Sequence, residues 1–140
     1  MDRLIFVSHL AATWYMVGLI WFVQLVHYPM MSRAADFVEY ELVHQRRTTW
    51  AVGPPMLIEL ATLALLLWLR PPAERPIWIG SGVLLAIVWL STALIQVPAH
   101  QKLGSGFDES VHAWLVNSNW IRTVAWSLRG GLILWLVRLP

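Results

Sequence analysis

The stretch FDESVHAWLVNSNWIRTVAWSLR, Phe107 to Arg129, decides how this chain is read. It carries His112, Asn117, Asn119, Arg122 and Arg129 and is set between two apolar runs, each long enough to cross a bilayer. Polar and charged groups in such a place are costly unless they meet partners. The expected partners lie in the corresponding stretch of the first half, His27 to Glu59.

Composition sets the class. Of 140 residues, 58% are hydrophobic and 13% charged, which leaves too little polar surface to coat a globule in water. Ten tryptophans suit the same environment, since indole favours the headgroup boundary and fills helix interfaces. Cysteine is absent, which excludes disulfides, thiolate metal sites and cysteine nucleophiles. A net charge of +2 without any basic block makes nucleic acid an unsuitable partner.

Four apolar segments approach the roughly 20 residues needed to span hydrocarbon. They run from about Leu4 to Met31, Trp50 to Leu69, Ile77 to Val97 and Trp120 to Val137. A backbone in lipid must satisfy its own hydrogen bonds, so the fold expected is all-α, a four-helix transmembrane bundle forming one domain over 1–140. The first run is read as a retained helix and not a signal peptide, because it is too long and no small-residue cleavage site follows it. Two connections, Ser32 to Thr49 and Pro98 to Asn119, are expected to hold short amphipathic segments on one membrane face; the first could equally extend the second span. RPPAERP, 70–76, makes a tight turn on the other face, where both termini also lie. Lys and Arg divide almost evenly between the faces, and the reading adopted is a bacterial inner membrane protein with cytoplasmic termini.

A shift of half the chain sets Phe37 on Phe107, Trp50 on Trp120 and Glu59 on Arg129, with Pro29 and Pro98 one residue out of register. Duplication and coincidence both account for this. Depth alone makes Glu59 and Arg129 a candidate intramembrane ion pair, since each lies nine residues past its tryptophan, roughly 13 Å along a helix entering from the same face. That pair either fixes helix register or supports a functional site.

Histidines are the remaining candidates for chemistry. His9 reads as a packed core residue, whereas His27, His44, His100 and His112 all fall toward the connection-bearing face. These four could hold a metal ion or haem, act as a proton relay, or only bond to carbonyls and headgroups. Their spacing shows no HExxH signature, and no Glu-x-x-His pair of the di-iron bundle type is expected. With Arg47, Asn117 and Arg122, and with Trp50, Trp114, Trp120 and Trp126 as walls, His27, His44 and His100 would line a pocket for an aromatic or anionic amphiphile, such as a quinone-like molecule. Any enzyme here would be a membrane oxidoreductase. The alternative is a structural or interaction subunit, whose outer faces meet lipid, a second copy or another membrane protein.

VHYPMM (26–31), VGPPMLIELATLALL (52–66) and NWIRTVAWSLRGGLILWLV (119–137) resemble small four-helix bacterial membrane proteins of unassigned activity. More remotely the layout is similar to the anthrone-oxygenase-like group. That resemblance implies the architecture and no particular reaction. HLAATWYMVGLIWFVQLVHYP (9–29) also resembles the opening helix of the four-helix, haem-containing type of protoporphyrinogen oxidase. Gln24 replaces the arginine expected before the second histidine, so the haem ligand of that family is not transferred to His9.

Overall fold

The computed structural model describes residues 2–137 as four long helices. Helix α1 runs Asp2–Met31, α2 Phe37–Leu69, α3 Pro72–Leu103 and α4 Glu109–Val137. The first three are long and apolar enough to cross a membrane. Both long polar connections are shorter than the sequence suggests. Asp36 accepts a hydrogen bond from the Glu39 amide at 3.3 Å and so starts α2 well before Trp50. Asp108 does the same for α4, accepting from the Val111 amide at 3.0 Å. The first connection is thus largely an extension of the second span, one of its two readings, and the amphipathic segment expected in the other is the opening of α4.

Prolines shape the rest. Helix α2 runs through Pro54 and Pro55 and stops at Arg70, which is extended because Pro71 follows it. Pro29 and Pro98 each lie just after a π turn, Val23–His27 in α1 and Thr92–Gln96 in α3. In these turns the Tyr28 amide reaches the Val23 carbonyl, and the Val97 amide reaches that of Thr92. A proline one residue further on has no N–H and crowds the carbonyl four residues back; the wider turn relieves that crowding. The insertion turns Gln24 and Gln96 inward, where both are buried.

Three apolar layers hold the bundle. Leu63, Leu66, Trp78, Leu85 and Leu136 fill the end near the termini. Met16, Val17, Ile20, Met56, Val88, Ala125 and Trp126 fill the middle, and Tyr28, Met31, Ala99, Leu103 and Leu115 the connection end. Polar layers separate them. In the lower one Arg129 pairs with Glu59, both side chains fully buried, while Trp126 Nε1 donates to Glu59 Oε2 at 3.1 Å and Arg129 Nε to Ser81 Oγ at 3.3 Å. His9 belongs to this layer: Thr62 donates its hydroxyl to the Ile58 carbonyl and accepts from His9 Nδ1 at 2.7 Å. Gly130 lets α1 and α4 approach, since a Cβ there would stand 3.2 Å from the Trp14 ring and 3.3 Å from Val17; one on Gly131 would meet nothing.

This packing has measurable consequences. Glu59→Ala and Arg129→Ala should each lower unfolding free energy in detergent by about 3–5 kcal/mol through the orphaned charge, and the double variant should lose less than either. A double variant as unstable as the singles would remove the pairing. Leucine at 130 should lower stability by about 1–3 kcal/mol in thermal melts, and leucine at 131 should not.

Candidate functional site

The upper polar layer brings together side chains from all four helices. Helix α2 contributes Glu41, His44 and Gln45, aligned by helical spacing along one face. Helix α1 contributes Gln24, His27 and Tyr28, helix α3 contributes Gln96 and His100, and helix α4 contributes Asn119 and Arg122. Gln24, Tyr28 and Gln96 bond to α4, whereas His27 and His100 face α2.

One hydrogen-bonded chain links most of them. His100 Nδ1 donates to Glu41 Oε1 at 2.6 Å, so its Nε2 accepts from the Tyr28 hydroxyl at 3.1 Å. That hydroxyl accepts in turn from Arg122 Nη2 at 3.1 Å. Arg122 Nε also donates to Asn119 Oδ1 at 2.9 Å, and Asn119 Nδ2 donates to Gln24 Oε1 at 2.8 Å. Gln24 finishes the run on the Val116 carbonyl. Gln45 Nε2 donates both to Glu41 Oε1 at 3.0 Å and to the His100 carbonyl at 2.8 Å, tying α2 to α3. Gln96 accepts from Ser91 at 2.9 Å and donates to Ser118 at 3.3 Å.

Beside this chain is a cavity of about 240 Å³. Its apolar floor is Met16, Leu19, Ile20, Val23, Val52 and Trp126; its polar side is Tyr28, His44, Thr48, Thr92, His100 and Arg122. Exposed Thr49 on α2 and exposed Val97 and Gln101 on α3 rim it, so the mouth opens laterally between those helices, which touch little at this level. Arg122 is 8% exposed, and among the described residues no carboxylate lies within ion-pair distance of it. Glu41 reaches it only through His100 and Tyr28. A buried cation facing a cavity with only neutral partners is poised to grip a carbonyl or anionic oxygen.

Of the residues singled out from the sequence, His44, His100 and Arg122 line the cavity. His27 stacks on His44 with ring centroids 4.4 Å apart, and its Nδ1 lies 3.4 Å from the Tyr40 hydroxyl. Arg47 and Asn117 are exposed and take no part in the cavity; Asn119, two residues on and 200° round the helix, occupies the inward place. His112 lies apart from the other imidazoles, donating Nε2–H to the Tyr28 carbonyl at 2.9 Å. Of the four expected wall tryptophans only Trp126 lines the cavity, while Trp50, Trp114 and Trp120 face outward. Glu59 and Arg129 form their pair one layer below.

Glu41 is the residue that sequence reading missed. Its signal was present, because Glu41-Leu42-Val43-His44 is a Glu-x-x-His pair where none was expected, and three-residue spacing on a helix presents both side chains to one side. Glu41 stands 0% exposed in a segment that reads as a solvated connection. Tyr28 was likewise hidden in an apolar run.

Comparison with protein-family models, characterised proteins and solved structures yields no match for this chain. The site must be read from its own geometry.

Outside the spans, Asp108 has its carboxyl held below the usual carboxylate range, chiefly by the hydrogen bond from the Ser110 hydroxyl. Within the inward layer, Asn119→Ala leaves Arg122 Nε without a partner and Gln24 Oε1 with only the 3.5 Å contact from Thr123, and should cost about 1–3 kcal/mol, whereas Asn117→Ala should change stability by less than about 0.5 kcal/mol. Equal losses at 117 and 119 in denaturation curves would contradict the placement.

Proposed function

We propose that this chain is an integral membrane protein whose lateral cavity binds a small aromatic or amphiphilic molecule of quinone-like chemistry through Arg122. The observation that carries the reading is the buried, carboxylate-free Arg122 on the polar side of a cavity whose floor is apolar and whose mouth opens between two helices. Tyr28 and Thr92 brace the guanidinium at 3.1 and 3.4 Å, which orients it before a ligand arrives. Trp126 lies in the apolar floor beside which an aromatic head would sit, and a lateral mouth suits a ligand with an apolar tail.

The membrane part of the reading rests on an inside-out distribution. His9, Glu59, Asn119 and Arg129 are fully buried, while Leu4, Phe22, Leu25, Leu57, Leu90 and Leu94 face outward. Outward tryptophans lie near both ends of the bundle. Trp50 and Trp68 on α2 are eighteen residues apart, roughly 27 Å along the axis, close to the hydrocarbon thickness of about 30 Å. In this reading the membrane is a bacterial inner membrane and both termini are cytoplasmic.

Of the reaction classes open to such a pocket, redox chemistry on the bound molecule suits it best. The close imidazoles argue against haem held between two of these histidines, because rings 4.4 and 5.2 Å apart are too close to ligate opposite faces of a macrocycle. A purely structural role suits the Glu59–Arg129 layer and leaves the cavity unexplained.

The test is titration of detergent-purified protein with a short-chain naphthoquinone, read as tryptophan quenching. Saturable quenching is expected, weakened at least tenfold in Arg122→Gln and reduced in amplitude in Trp126→Phe. A folded protein with no saturable quenching would overturn the ligand reading, and recovery of the chain in the carbonate-soluble fraction would overturn the membrane reading.

A further inference from the structure

We infer that Glu41, His44 and His100 form a binding site for a first-row divalent metal ion at the mouth of the cavity. The inference deepens the pocket reading, because His44 and His100 line the same cavity, yet it stands on a different set of atoms. One ligand atom from each of the three residues lies within 4.8 Å of the others. Around an ion held at about 2.0–2.2 Å, neighbouring ligand atoms stand roughly 3–3.5 Å apart, so a side-chain adjustment of about an ångström completes the set. His44 is the group free to make it, being only half-buried and tethered through Thr48 at 3.0 Å.

The atoms are chemically ready. Glu41 is fully buried, and its Oε2 has no hydrogen-bond partner. A carboxylate left half-satisfied in a dry place is costly, and an ion would take up the orphaned oxygen. His100 Nδ1 already shares a proton with Glu41 Oε1 at 2.6 Å, so the ion would replace that proton between the same two residues. His44 contacts Thr48 more closely through Nδ1, at 3.0 Å, than through Nε2, at 3.5 Å.

A supporting shell is also built. Gln45 holds Glu41 Oε1 at 3.0 Å, and with the ion on His100 Nδ1 the ring proton moves to Nε2, which then donates to the Tyr28 hydroxyl 3.1 Å away. Behind Tyr28 lies Arg122. His27 stacks on His44 with its own Nε2 unpartnered, and belongs to this shell more than to the ligand set. Two imidazoles and one carboxylate suit iron, cobalt, nickel or zinc ions over calcium or magnesium, and three protein ligands leave coordination positions open toward the cavity.

The experiment is titration of chelator-treated full-length protein in detergent with Co²⁺ alone, read by visible absorption and by calorimetry. One Co²⁺ per chain with ligand-field bands is expected. Affinity should fall at least tenfold in Glu41→Gln, His44→Ala and His100→Ala, and about tenfold in Gln45→Ala. His112→Ala should bind as the parent does. A folded parent protein that shows no saturable Co²⁺ binding overturns the site, even if a variant fails to fold. So does binding that survives both Glu41→Gln and His44→Ala. Naphthoquinone quenching in the chelator-treated protein separates the two proposals: quenching without Co²⁺ binding removes the metal and keeps the pocket, and Co²⁺ binding without quenching does the reverse.

Discussion

The buried pair of Glu59 and Arg129 is the constraint on which the rest of the bundle depends. Neither charge has solvent, so α2 and α4 can adopt only the register that joins them. Helix α1 is then seated through His9 on Thr62, three residues beyond Glu59, and through Trp14 and Val17 against Gly130 beside Arg129. Helix α3 is seated through Ser81 on Arg129 and Trp78 against His9. Trp126 carries the register upward: its indole nitrogen ends on Glu59 and its ring walls the cavity. A slip of one turn would place Arg122 or Arg129 in an apolar layer.

The two halves are built alike. Each begins with a helix broken by a π turn ahead of a proline, and each continues into a helix that is started by an aspartate and carries two buried charges, Glu41 and Glu59 in one and Arg122 and Arg129 in the other. Phe37 and Phe107 meet edge to face at 4.9 Å where the halves join. The upper site is asymmetric: at the half-chain shift Glu41 and His44 fall on Val111 and Trp114, and Asn119 and Arg122 on Thr49 and Val52.

The upper layer differs in kind from the lower. Glu59 and Arg129 pair directly in the lower layer, although Arg129 Nη2 and His9 Nε2 there have no hydrogen-bond partner. In the upper layer the carboxylate and the guanidinium are held apart by His100 and Tyr28; Glu41 Oε2 has no hydrogen-bond partner, and Arg122 lines the cavity. Separated opposite charges with spare valence mark a place where a ligand or an ion completes the electrostatics.

By itself the sequence determined the helical class, the number and order of helices, and the depth at which Glu59 and Arg129 face each other. Those follow from length, hydropathy and a 1.5 Å rise, which are local properties of the chain. The tertiary structure decided which polar residues share the upper site. Helical phase exchanges Asn117 for Asn119 and leaves Arg47 outside, and each π turn shifts the facing of the next helical turns by one residue, which hydropathy does not record. Glu41 becomes a site residue only because α2 starts at Phe37 and carries a stretch that looks solvated into the bundle, against His100 of another helix.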